Sequence, residues 1–374
     1  MNALGLYIHV PFCLKKCPYC DFYSVKLEND LLYEYVKALK NVITKWAENL
    51  KFGDNPKIID TIYFGGGTPN LLGNENIAEI LNLIKEEFNL ENEKDLEVTL
   101  EVNPTKFDEI DFEILRKTGV NRLSIGMQSS DEKELKLLGR AHTQEAVEYT
   151  VKKAQKAGFD NISLDLMLCT PEQTKESLKR SIDFCEKLQI QHISAYLLKI
   201  EKGTKYYLNK DKLNLKDDDT QSEIYLFACN ELEKRGFMQY EISNFSKPGF
   251  QSKHNLKYWN SENYLGIGPS AHSFLDGKRF FFERDLKKFI KNPKVIEDGT
   301  GGDIEEYIML RLRLTQGLKN SEFYKRFKMN IPEKYFDKAR LYEKHGFIEV
   351  SNDGFYLTKK GFLVSNELIA NLIL

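Results

Sequence analysis

From Leu4 to about Tyr196, short apolar runs alternate with longer stretches whose apolar positions recur every three or four residues. The runs at 6–10, 58–64, 96–102, 122–125, 162–168 and 192–197 predict strands. The stretches near 31–50, 77–88, 112–117, 144–157 and 175–188 predict the helices between them, with Gly158 as a helix stop. Six strand–helix units in series predict a parallel sheet covered by helices.

Beyond about residue 200 the alternation fails. Asp217-Asp218-Asp219 reads as the start of a helix running to Arg235, and residues 237–242 as one more strand. A Gly- and aromatic-rich stretch covers 243–282. Three helical segments follow, together with a hairpin signal in which 346–350 and 354–358 flank Ser351-Asn352-Asp353. The expected organisation is a core over 1–235, a barrel-closing segment over 236–300 and a mostly helical, winged-helix-like domain over 301–374.

Composition narrows the class. Of 374 residues, 41% are apolar and 29% charged, the balance of a folded globular chain. Lys plus Arg total 54 against 56 for Asp plus Glu, which gives no global drive toward nucleic acid or an acidic membrane. In the tail, Lys319, Lys325, Arg326 and Lys328 mix with Glu322, Glu333 and Asp337, so that face reads as solvated and no nucleic-acid partner is expected. The first residues make a poor signal peptide, no apolar run approaches the roughly 18–20 residues of a membrane span, and a cytoplasmic location is expected.

Cysteine usage changes the picture. Three of the six cysteines, Cys13, Cys17 and Cys20, fall within eight residues, while Cys169, Cys185 and Cys229 are scattered and read as small buried apolar residues. Three thiolates in one loop can each take one iron of a [4Fe–4S] cubane and leave the fourth iron open to a small molecule. Structural zinc is the alternative, with Asp21 or His9 completing four ligands, and a chance cluster is the third.

The C-x-x-x-C-x-x-C run, opening a βα array and followed by Gly65-Gly66-Gly67-Thr68-Pro69, resembles the radical S-adenosylmethionine (SAM) superfamily. Tyr7, the Ser124-Ile125-Gly126-Met127-Gln128 segment and Asp165 resemble its oxygen-independent coproporphyrinogen III oxidase branch. The resemblance implies a partial (β/α)6 barrel with a [4Fe–4S] cluster on Cys13, Cys17 and Cys20. It further implies SAM contacts at Tyr7, Tyr19, Gly66, Gly67, Thr68, Glu101, Gln128, Arg140 and Asp165. These residue types suit such contacts, since carboxylates accept from ribose hydroxyls or ammonium and Arg pairs with carboxylate. Each has a blander reading, as turn glycines, a structural strand Asp or a surface Arg.

Two departures argue against the oxidase itself. It carries another cysteine two positions after the third ligand, where this chain has Phe22. It also carries an N-terminal extension, for which a first strand near Leu4 leaves no room. His254-Asn255-Leu256-Lys257-Tyr258-Trp259 instead matches the H-N-x-x-Y-W motif of the HemW-type heme chaperones. That likeness implies heme binding at His254, Asn255, Tyr258 and Trp259 and delivery to heme proteins such as respiratory enzymes. It allows a homodimer and transient contact with a membrane surface. His can ligate heme iron and Tyr and Trp offer flat faces, with His9 and His272 as further candidates. A loop histidine with two packing aromatics is the rival reading. Coproporphyrinogen III decarboxylation remains the alternative activity.

Overall fold

The computed structural model describes residues 3–52, 56–104 and 110–374. Met1 and Asn2, where the expected core begins, lie outside them. Six parallel strands stand side by side in chain order. They are β1 (Ala3–Val10), β2 (Ile58–Gly66), β3 (Glu97–Val102), β4 (Arg122–Gln128), β5 (Ile162–Leu168) and β6 (His192–Leu197). Their near-continuous apolar runs are buried on both faces, as parallel strands under helices require. The helices Asn29–Phe52, Asn74–Glu87, Phe112–Thr118, Gln144–Lys156 and Lys175–Lys187 supply the covering layer. This is the parallel sheet under helices that the periodicity predicts, in the partial (β/α)6 arrangement that the resemblance implies.

The sheet does not stop at six strands. Tyr264–Ile267 adds parallel to the outer edge of β1, and antiparallel strands His272–Leu275, Lys278–Phe282 and Val295–Thr300 extend it. At the other edge Asn244–Ser246 pairs antiparallel with β6. The strand expected over 237–242 is shorter, Met238–Gln239, because the chain turns there to pair with Asn244–Ser246. A helix that the periodicity does not reveal, Lys253–Trp259, begins on the Ser252 cap, whose side chain accepts from the Asn255 amide.

The C-terminal region places helices Ile304–Arg311, Asn320–Phe327 and Glu333–Glu343 beside the hairpin Ile348–Ser351/Gly354–Leu357, with Leu318–Lys319 as a third short strand. Among the described residues no helix is long and apolar enough to cross a membrane.

Candidate functional site at the C-terminal ends of the strands

Register decides which side chains meet. Glu101 on β3 lies opposite Ser124 on β4, and Asp165 on β5 lies opposite Ser194 on β6. All four therefore face the barrel interior. Near the end of β4 the register shifts, and Gln128 adopts a left-handed φ of 67°. Such strain is rare outside glycine and clusters at functional sites. Gln128 Oε1 accepts from the Tyr196 hydroxyl at 2.8 Å.

The cysteine loop runs from the end of β1. Gly67 is pinned to it, since its amide donates to the Val10 carbonyl at 2.8 Å. A Cβ at Gly67 would stand 2.5 Å from the Phe12 carbonyl oxygen, and one at Gly66 would stand 2.7 Å from the His9 ring. These glycines are therefore required by the close approach of the protein's own chain, which fastens the Gly-rich loop to the cysteine loop. Thr68 continues the junction, donating to Cys13 Sγ at 3.6 Å and accepting from Asn103 Nδ2 at 2.9 Å.

Cys13, Cys17 and Cys20 carry free thiols and line one cleft of about 140 Å³. That same cleft is lined by Tyr19, Gly66, Gly67, Thr68, Glu101, Gln128, Arg140 and Asp165. Of the expected cofactor contacts only Tyr7 is set back. Its hydroxyl donates to His9 Nδ1 at 3.1 Å, while His9 Nε2 donates to the Tyr23 carbonyl at 3.0 Å. The carbonyl can only accept, which fixes that tautomer. Cys169, Cys185 and Cys229 are buried, as expected of small apolar residues.

Among the described residues no group of three or more His, Cys, Asp or Glu side chains is arranged around a single ion. A cubane makes a different demand, one thiolate for each of three irons, and three free thiols on one cleft wall fit that demand. Zinc would need four donors converging on a point.

Arg140 reaches over the cysteine loop. Its Nε and Nη2 donate to the Tyr19 hydroxyl at 3.0 and 2.7 Å, and Nη1 donates to Asn103 Oδ1 at 3.1 Å. The same cleft holds a pair of half-buried carboxyls. Glu101 accepts from the Tyr63 hydroxyl at 2.9 Å and from the Gly66 amide at 3.2 Å. Burial, with the Asp165 charge adding to it, pushes Glu101 up to about 7. Asp165 accepts from Ser124 at 3.2 Å, and burial raises it to about 6.

A second cavity of about 500 Å³ opens beside the cleft, sharing Tyr19, Cys20, Phe22, Glu101, Ser124, Asp165 and Tyr196 with it. Its floor includes Arg122 and Asn255. The helix Lys253–Trp259 closes this end of the barrel. Glu97, the first residue of β3, accepts from the Lys253 and His254 amides at 2.9 and 3.0 Å and so anchors the helix N-terminus.

Of the H-N-x-x-Y-W residues, only Asn255 lines the cavity. His254 is fully buried, with Nδ1 at 2.8 Å from Thr61 Oγ1 and Nε2 at 2.9 Å from the Tyr258 hydroxyl. Burial lowers it to about 3, so the ring is neutral. Tyr258 packs edge-on against His254 and Tyr264, and Trp259 is half-buried. His9 is buried, and exposed His272 stacks on Phe281. Sequence reasoning passed over Arg122, Tyr63 and Tyr196, whose positions in strands carry no local signal of a cavity.

The Radical SAM superfamily model matches residues 7–185, and the HemN C-terminal domain model matches residues 303–364. A heme chaperone HemW from Bacillus subtilis is 35% identical over 97% of each chain. One from Haemophilus influenzae is 33% identical over 99% of this chain and 97% of that one. The chain belongs to the HemW family of radical SAM proteins. Family membership implies a [4Fe–4S] cluster and SAM, in keeping with the three-thiol cleft. Coproporphyrinogen III oxidase (HemN) from Escherichia coli, a radical SAM enzyme, superposes with a TM-score of 0.82 over 99% of this chain and 90% of that one. At 21% identity this likeness shows the fold.

Proposed function

We propose that this chain is a heme chaperone, binding heme and delivering it to heme proteins such as respiratory enzymes. The observation that carries the reading is full-length similarity to relatives named heme chaperone HemW. A mixed polar and apolar cavity beside the three-cysteine cleft supports it.

In this reading Cys13, Cys17 and Cys20 hold the [4Fe–4S] cluster, which supplies one-electron reduction when bound. Gly66, Gly67 and Thr68 form the wall beside it, and Arg140 is the carboxylate partner for SAM. Glu101, Gln128 and Asp165 offer acceptors for its ammonium and ribose, and Tyr7 acts through His9 from behind the glycine loop. Within the heme motif Asn255 is the cavity-facing member. His254 and Tyr258 hold the floor helix against Thr61 of β2 and against Tyr264, and Trp259 is the remaining aromatic of the motif. Ligation of heme iron by His254 would require it to leave both of its hydrogen-bond partners.

The test is anaerobic reconstitution of the full chain, followed by heme titration and transfer to an apo-heme protein. Wild type is expected to take up iron, sulfide and one heme, and the Cys13→Ala/Cys17→Ala/Cys20→Ala variant to lose the cluster's visible absorbance. Robust anaerobic conversion of coproporphyrinogen III without heme uptake would reverse the choice in favour of the decarboxylase.

A further inference from the structure

Arg122 is the first residue of β4, and its side chain is 1% exposed. Its Nε has no hydrogen-bond partner. Glu101 and Asp165 both feel its charge, yet neither forms an ion pair with it within 4.0 Å. A guanidinium has five donors and stays charged, so burying one without a partner is unfavourable unless a ligand completes it. Arg122 lines the larger cavity and not the cysteine cleft, whereas Arg140 lines the cleft and not the cavity. Arg140 is already engaged by Tyr19 and Asn103 beside the cysteines. Two arginines thus serve two adjoining spaces, one at the cluster and one at the floor.

The space in front of Arg122 is amphipathic. Met167, Leu197 and Leu198 give it apolar wall, and Ser194 and Asn255 add polar groups. Its volume of about 500 Å³ falls within the about 300–1,000 Å³ of small-molecule sites. We infer that Arg122 is a carboxylate anchor on the floor of this cavity, and that it pairs with a propionate of the bound tetrapyrrole. The assignment rests on the heme reading above and adds to it the group that heme presents and the residue that receives it. The same chemistry could come from the carboxylate of SAM, but the segregation of Arg122 from the cysteine cleft favours the propionate. A guanidinium meets a carboxylate through two parallel hydrogen bonds, which fixes orientation as well as affinity. Heme seated this way would have its propionate edge inward and its opposite edge toward the cluster.

The experiment uses the anaerobically reconstituted full chain, titrated with heme, with heme dimethyl ester and separately with SAM. The variants are Arg122→Gln and Arg122→Lys. Wild type is expected to bind heme about tenfold tighter than the ester, the scale of one charge-assisted pair. Arg122→Gln should lose that factor for heme and leave the ester and SAM unchanged, with Arg122→Lys between. Equal binding of heme and ester by wild type, with heme affinity intact in Arg122→Gln, overturns the inference and leaves the heme reading standing. Lost SAM affinity with intact heme affinity in Arg122→Gln assigns the carboxylate to the cofactor and overturns the propionate. Absence of heme uptake by wild type overturns both readings. Should Arg122→Gln fail to fold, the acid-against-ester comparison on wild type still decides.

Discussion

Arg140 holds the Tyr19 hydroxyl with two guanidinium nitrogens, at 3.0 and 2.7 Å, so a side chain after β4 clamps one of the two residues between Cys17 and Cys20. The clamp adds to the backbone bonds that hold this short loop, the Cys20 amide to the Cys17 carbonyl at 3.2 Å and the Tyr206 amide to the Pro18 carbonyl at 2.9 Å. Tyr19→Phe removes the acceptor that Nε and Nη2 share among the described residues and leaves half-buried donors unpaired, a cost of about 1–3 kcal/mol. The expected outcome is a lower unfolding midpoint in denaturant and a lower iron content after reconstitution. An unchanged midpoint and full iron would show the clamp to be incidental.

Gly67 is the second fastening of that loop. Alanine there would place a Cβ 2.5 Å from the Phe12 carbonyl oxygen, which is backbone and cannot swing aside. The Gly-rich loop must then lift from the cysteine loop, at about 1–3 kcal/mol, the usual range for overpacking. Gly67→Ala is expected to bind SAM weakly and to retain its cluster poorly in air, read by calorimetric titration and by the decay of visible absorbance. Wild-type values in both would mean that the two loops separate without consequence.

Much of this site is legible in the chain because its residues mark strand ends, where a break in an apolar run is visible locally. The predicted bounds of β5 and β6 match the structure because apolar residues recur at alternate positions along both. The fourth strand is predicted to end at Ile125, since Gly126 breaks the pattern, yet it continues to Gln128 through a bulge whose cause is tertiary. The floor helix Lys253–Trp259 has fewer than two full turns, too few for a period to emerge. Its stability comes from Glu97, which lies more than 150 positions earlier. Arg122 reads as an ordinary residue at a strand start, and its burial is tertiary, beside a cavity that Asn255 of that distant helix also lines.

The two desolvated carboxyls make stability depend on pH. Glu101 titrates near 7 and Asp165 near 6 in the fold, both above their ordinary values, because burial disfavours charge and, at Glu101, the Asp165 carboxylate adds repulsion. Tyr63, Ser124, Arg122 and Arg140 also face the pair and draw the values back down only in part. The folded state therefore holds protons that the unfolded chain has released. The associated stability is fully present below the unfolded values near 4, and is lost as pH rises through about 6 to 7. The cluster-free chain should accordingly withstand more urea at pH 5.5 than at pH 8, and Glu101→Gln should flatten that slope. A slope of the opposite sign, or one untouched by Glu101→Gln, would mean that other groups dominate.

His254 separates a structural reading of the H-N-x-x-Y-W motif from a ligand reading. Its ring fills the space between Tyr63, 5.2 Å away by centroid, and Tyr258, and it bridges Thr61 to the Tyr258 hydroxyl. Neutral imidazole suits this bridge, and burial keeps it neutral at any ordinary pH. His254→Ala deletes the ring and strands two hydroxyls, so a loss of about 3 kcal/mol is expected. A fall in heme affinity for that variant could follow from a displaced floor helix alone. His254→Gln decides the matter, because glutamine fills much of the space and keeps a polar partner for Tyr258 without binding iron as imidazole does. Heme affinity near wild type in His254→Gln, with the heme absorbance maximum unmoved, is the expected result. A stable His254→Gln whose heme spectrum changes would instead make His254 an iron ligand that swings out of the floor when heme arrives.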